Sequence, residues 1–177
     1  MKYTEKQLNK MLCSDLYFER ICAAEQGYRL DILVMDENPL VREEVARQGY
    51  GLDKLASDPV STVRLAVAQQ GYRPETFVND EEPLIRYEIA KQGLCLNKLL
   101  HDKDPDVRAA VARQGYGLDV LRKDDSLTVL DAVWEYERRD EEIKTLAQLL
   151  DRTKRLSQEL ADLTNEIHKR LDNYTKE

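Results

Sequence analysis

The sequence predicts an all-α protein: an α-solenoid of 22-residue, two-helix repeats, followed by a long C-terminal helix with coiled-coil character. Three observations carry this. Gln-Gly-Tyr stands at 26–28, 48–50, 70–72 and 114–116, with Gln92-Gly93-Leu94 in the remaining slot, so the beat returns every 22 residues without an insertion. A fixed period in that range marks units too small to bury an apolar face alone, which must stack on one another. Each unit also carries two short apolar patterns at helical spacing. Finally, no Gly or Pro interrupts residues 131–177, where apolar positions alternate steps of three and four.

Taken in order, residues 1–28 read as a degenerate cap and 29–50, 51–72, 73–94 and 95–116 as good repeats. Residues 117–136 form a C-terminal cap that completes a repeat domain over 1–136, and 137–177 a helical, coiled-coil segment. Terminal units differ because one of their faces meets water. The first helix of a unit carries Leu30 and Leu33, Leu52 and Leu55, Leu96 and Leu99, or Leu118 and Leu121. The third repeat has Pro74 and Phe77 instead, and proline is tolerated in a first helical turn. The second helix follows V-R-x-x-(V/I)-A: Val41 and Val45, Val63 and Val67, Ile85 and Ile89, Val107 and Val111. Ala46, Ala68, Ala90 and Ala112 then allow close approach of neighbouring helices. The glycine of each beat falls where a left-handed residue ends a helix. Helices of about two turns are unstable alone and depend on their stacked neighbours.

Two charged ladders share the period. Asp36, Asp58, Asp80, Asp102 and Asp124 form one, and Arg20, Arg42, Arg64, Arg86 and Arg108 the other. The arginines either grip phosphates or carboxylates of a ligand, or pair with the aspartates to tie the turns together. A matched acidic ladder and a net charge of −7 favour the second. The aspartates also stand where each could cap the following helix. Tyr28, Tyr50, Tyr72 and Tyr116 make either a stacking ladder for bases or, the favoured reading, a seal over the joints between units.

The D-x5-R spacing and the V-R-x-x-V-A core resemble HEAT-type repeats. The short period and the L-x-x-L-x-x-D segment (Leu30, Leu33, Asp36) resemble the variant leucine-rich repeat of bacterial proteins still more closely. The resemblance covers about residues 5–136. It implies an α-helix paired with a short 3₁₀ or α segment in each unit, wound into a right-handed superhelix. Some variant leucine-rich members carry an N-terminal iron–sulfur cluster held by cysteines; here Cys13 and Cys22 are too few for four ligands, so no cofactor is expected. Some HEAT-like proteins are DNA glycosylases with a basic concave face, a role the acidic balance argues against.

Composition narrows the function classes. At 42% apolar and 34% charged the chain is globular. Net acidity argues against general nucleic-acid binding, which is supplied mostly by Lys and Arg. Cys13, Cys22 and Cys95 form no paired framework and are expected to be buried, reduced thiols. His101 and His168 lack metal-ligand spacing, and no glycine-rich phosphate loop occurs, so neither a metal nor catalysis is expected. No apolar run of membrane-spanning length exists and residues 1–6 carry no leader-like apolar stretch, which points to a soluble, cytoplasmic protein.

Function is then sought where the repeats differ. The candidate partner-binding residues are Glu43, Arg47, Leu65, Tyr87, Glu88 and Lys91, with Leu65 and Tyr87 apolar at a position outside the core pattern. In the C-terminal helix, Leu146, Leu149, Thr153, Leu156, Leu160, Leu163, Ile167, Arg170 and Tyr174 fall at a and d positions. Of these, Leu149, Leu156, Leu160, Leu163 and Ile167 are the candidate assembly residues. The stripe can pair with another copy, fold back on itself or pack along the solenoid, and its length favours self-association or a partner helix. Trp134 stands in the alanine slot and is expected to cover the last apolar face of the stack. The expectation is a noncatalytic scaffold or adaptor that binds a protein through the variable face. The alternatives are an acidic inhibitor, of mobile-element origin, that occludes an enzyme's nucleic-acid-binding site, and direct nucleic-acid binding through the arginine ladder.

Overall fold

A computed structural model describes residues 3–174, with side chains as far as Lys169. Among the described residues every regular element is helical. Helices α1 (Glu5–Leu12) and α2 (Tyr17–Glu25) open the chain. Three units then alternate a four-residue helix with a nine-residue one: α3 (Leu30–Leu33) with α4 (Pro39–Arg47), α5 (Leu52–Leu55) with α6 (Ser61–Gln69), and, further on, α8 (Leu96–Leu99) with α9 (Pro105–Arg113). Between the last two units, a 3₁₀ turn at Pro74–Thr76 takes the place of the short helix before α7 (Pro83–Lys91). A last short helix, α10 (Leu118–Leu121), leads into α11 (Leu127–Tyr174). The expected pair of two-turn helices is thus unequal: one turn, then two and a half.

The long helices α2, α4, α6, α7 and α9 pack on one another in chain order, α3, α5 and α8 each lie against the long helices before and after them, and α10 lies against α9. Successive helices thus pack in sequence as a solenoid. Its core is the pattern read from the sequence. Val41, Val45, Val63, Val67, Ile85, Ile89, Val107 and Val111 are fully buried, with Leu33, Leu55, Leu99 and Leu121 from the short helices and Phe77 filling the same role in the third repeat.

Two left-handed residues, with one ordinary residue between them, make the corner between units. Gly49 (φ 73°) follows the C-cap of α4, its N–H donating to the Ala46 carbonyl while the Tyr50 N–H donates to Val45. The residue two positions on is left-handed as well, and here the chain is less consistent: Gly51 and Gly117 share that position with Arg29, Arg73 and Cys95. At Gly117 (φ 64°) an added Cβ would lie 2.4 Å from Leu100 Cδ1, so both backbone and packing favour glycine.

The chain divides into two compact units, Met1–Val133 and Trp134–Glu177. Trp134 does not cover the end of the stack: it is 59% exposed, with the Arg138 guanidinium 5.3 Å from its ring centre. Val129, Ala132 and Val133, the first turns of α11, supply the buried residues there instead. Val129 and Val133 keep the slots of Val107 and Val111, so the phase of the repeat persists there, and α11 runs on past the point where a glycine ends each of α2, α4, α6, α7 and α9. No described helix is long and apolar enough to cross a membrane.

Candidate interaction surfaces

The arginine ladder is consumed inside the solenoid. Arg86 donates from Nε and Nη2 to both oxygens of Asp102, sixteen residues on, at 2.8 Å each, while its Nη1 donates to the Asp80 carbonyl at 2.7 Å. Arg20, Arg42, Arg64 and Arg108 repeat this with Asp36, Asp58, Asp80 and Asp124 of the following unit and the carbonyls of Ser14, Asp36, Asp58 and Asp102. Each guanidinium therefore binds a turn of its own unit and the carboxylate of the next. The aspartates do not cap the long helices. Their Oδ1 accepts the backbone N–H two residues on, as Asp58 does from Val60, and the caps are Asn38 and Asp104.

Burial disfavours the charge on Asp58, Asp80 and Asp102. The bonded guanidinium and that backbone N–H outweigh it and hold the carboxyls below the usual range. For Asp124 the Arg108 hydrogen bonds are the chief cause of the same direction.

The beat contributes to the joints through a residue that sequence reasoning passed over. Gln92 Nε2 donates to the Ala68 carbonyl at 3.0 Å, and Gln114 Nε2 to that of Lys91 at 2.9 Å, so the glutamine hooks a helix end of the preceding unit. The tyrosines seal less than expected: Tyr28 and Tyr72 are half-buried, but Tyr50 and Tyr116 are exposed.

The outward side of each long helix is formed by positions i, i+3, i+4 and i+7. On α4 these are Leu40, Glu43, Glu44 and Arg47; on α7 they are Leu84, Tyr87, Glu88 and Lys91. Glu43 bonds Arg47 and Glu88 bonds Lys91 at 3.2 Å, so the charged candidates fall into two intrahelical pairs with exposed basic ends. Leu65 and Tyr87 are half-buried and packed against the core, which corrects their placement outside it. The fully presented apolar groups lie one turn earlier: Phe18, Leu40 and Leu84, the last 52% exposed. Their position reads Phe18, Leu40, Thr62, Leu84, Asp106 along the chain, and that variability was a legible signal. Beside Leu84, a groove of about 450 Å³ between α7 and α9 is lined by Pro83, Leu84, Tyr87, Asp106 and Arg113.

In α11 the candidate assembly residues Leu149, Leu156, Leu160, Leu163 and Ile167 are all exposed, Leu160 at 69%. Ile143 and Leu146 extend the stripe toward the N-terminus, and Leu150 widens it beside Leu149. The side chains of Arg170 and Tyr174 lie outside the described residues. The Thr153 hydroxyl, the polar break in the stripe, donates to the Leu149 carbonyl at 2.9 Å and needs no outside partner.

Among the described residues no cluster of His, Cys, Asp or Glu has the geometry to hold a metal ion. The thiols are less buried than expected, Cys13 being exposed and Cys22 and Cys95 half-buried. No protein-family model, curated protein or solved structure matches the chain.

Proposed function

We propose that this chain is a noncatalytic interaction protein, a bacterial HEAT-like or variant leucine-rich solenoid that binds a protein partner through the outward side of α4, α6 and α7. The observation that carries this is the exposure of Leu40 and Leu84 beside the Glu43–Arg47 and Glu88–Lys91 pairs, at positions free to differ between units. An apolar centre with a charged rim suits a protein surface, and Tyr87 in the groove supplies an aromatic anchor. The arginine ladder has its nitrogens engaged within the chain, so direct nucleic-acid binding gains no support from it.

The test uses the full chain as bait in affinity capture, beside Leu84→Asp and Tyr87→Ala variants with unchanged melting temperature. A protein retained by the wild type and lost from both variants supports the reading. Equal recovery of the same proteins by all three baits removes it.

The acidic-inhibitor reading also has a specific feature behind it. Glu37, Glu81 and Asp125 stand 88–98% exposed at the turns, each within 3.7 Å of a ladder arginine and two units from the next. A charge mimic loses affinity steeply with ionic strength. Affinity for the captured partner that stays flat from about 0.05 to 0.5 M salt rejects it.

A further inference from the structure

We infer that α11 pairs with α11 of a second copy in an antiparallel coiled coil, in the register that sets Leu146 opposite the second copy's Leu163 and Leu149 opposite its Leu160. This deepens the assembly role read from the stripe and is independent of what the solenoid binds. The stripe from Leu146 to Ile167 runs roughly 32 Å along the helix, and its large apolar side chains are between 53% and 69% exposed. Among the described residues of Trp134–Glu177 no element covers it, since they form one helix.

The flanking residues choose the orientation. With Leu146 at an a position, the e positions are Ile143, Leu150, Ser157 and Thr164, and the g positions Thr145, Arg152, Glu159 and Glu166. All of the charge lies on one edge. Parallel helices set g against e, so Arg152 would face Ser157 and Glu159 would face Thr164, with no ion pair formed. Antiparallel helices set g against g and e against e. The uncharged edges then meet each other, and the two charged edges meet each other.

The charges also choose the register. In the alignment stated, Arg152 faces the second copy's Glu159, and the two-fold axis makes that pair twice. Sliding one helix by a heptad in one direction sets Glu159 against Glu159, while Arg152 then faces Glu166; sliding it the other way sets Arg152 against Arg152. Each neighbouring register therefore carries a like-charge pair, and the stated one keeps its two Arg–Glu pairs without any. Among the described residues Arg152 and Glu159 have no ion pair, whereas Arg155 is bonded to Asp151 one turn away. A stripe whose edges complement themselves under a two-fold axis fits a second copy of the same chain.

The experiment is sedimentation equilibrium of the full chain with Arg152→Glu and Glu159→Arg, singly and as a mixture. The wild type is expected to dimerise. Each single variant turns two attractions into two repulsions and weakens the dimer by about tenfold at low salt. An equimolar mixture of the two variants restores wild-type affinity, because the heterodimer recovers both pairs. Circular dichroism of each variant checks that the helix is intact. A monomeric wild type overturns the proposal, as do single variants that dimerise normally or a mixture no tighter than its components.

Discussion

Arg86 and Arg155 form the same chemical bond in two different settings. Arg86, 2% exposed, binds Asp102 sixteen residues away and the Asp80 carbonyl, joining two units. Arg155 binds Asp151 on the next turn of its own helix, with both side chains mostly in water. The apolar residues divide in the same way, Leu99 being buried and Leu160 exposed. In the solenoid the core side chains and the ladder arginines complete contacts with neighbouring units, so these polar and apolar groups alike are satisfied inside the chain. In α11 the contacts are local, and the apolar stripe has no complement within its own unit. The core of the first region is completed by its own repeats, whereas the stripe of the second stays exposed.

The largest expected effect lies in the solenoid core. Phe77→Ala should cost about 3–5 kcal/mol, because Phe77 is fully buried in the middle of the stack and the repeats on either side of it share its cavity. Leu160→Ala should leave the thermal unfolding of the solenoid unchanged at protein concentrations too low for association. Equal destabilisation by both would mean that the stripe is already covered within the monomer.

The second effect concerns the ladder. Arg86→Ala leaves Asp102 buried without its partner, which should cost about 3 kcal/mol, whereas Arg155→Ala should produce no measurable change in melting temperature. Removing both charges, as in Arg86→Met with Asp102→Leu, should recover part of the loss. A harmless Arg86→Ala combined with lost partner binding would instead place the ladder in recognition.

Much of this was readable from periodicity. Val41, Val45 and their equivalents occupy the core because a 22-residue repeat and a 3.6-residue helix put them on one side of every unit. The pairing of Arg86 with Asp102 was harder to see, because its partner across the joint is sixteen residues on, while Asp80 lies only six residues back. Gln92 and Gln114 escaped notice since hooking a carbonyl 23 or 24 residues back depends on how units stack, not on local pattern. Leu84 was passed over because it sits next to a core isoleucine; only the phase of α7 turns it outward. Trp134 was misplaced for a different reason: it keeps the phase of the alanine slot, with Val129 and Val133 in the valine slots, but that slot is buried in α9 and exposed in α11.

The smallest effect is the pH response, and it separates the two regions without mutation. Asp58, Asp80, Asp102 and Asp124 have carboxyls held below their ordinary range in the folded solenoid. In the unfolded chain they titrate near 3.9. As pH falls toward that value the unfolded chain takes up protons before the folded one does, so stability is complete above about pH 5 and declines below it. The loss by pH 4 should be on the order of 1 kcal/mol and should grow as the folded carboxylates protonate in turn. Melting curves recorded from pH 7 to 3 should therefore be flat and then drop for the wild type. Arg86→Ala should drop less, because Asp102 then lacks the guanidinium that lowers its pKa. Identical acid profiles for the two proteins would show that the ladder ties the turns by its backbone contacts alone, with its charge pairs contributing nothing to the difference between solenoid and helix.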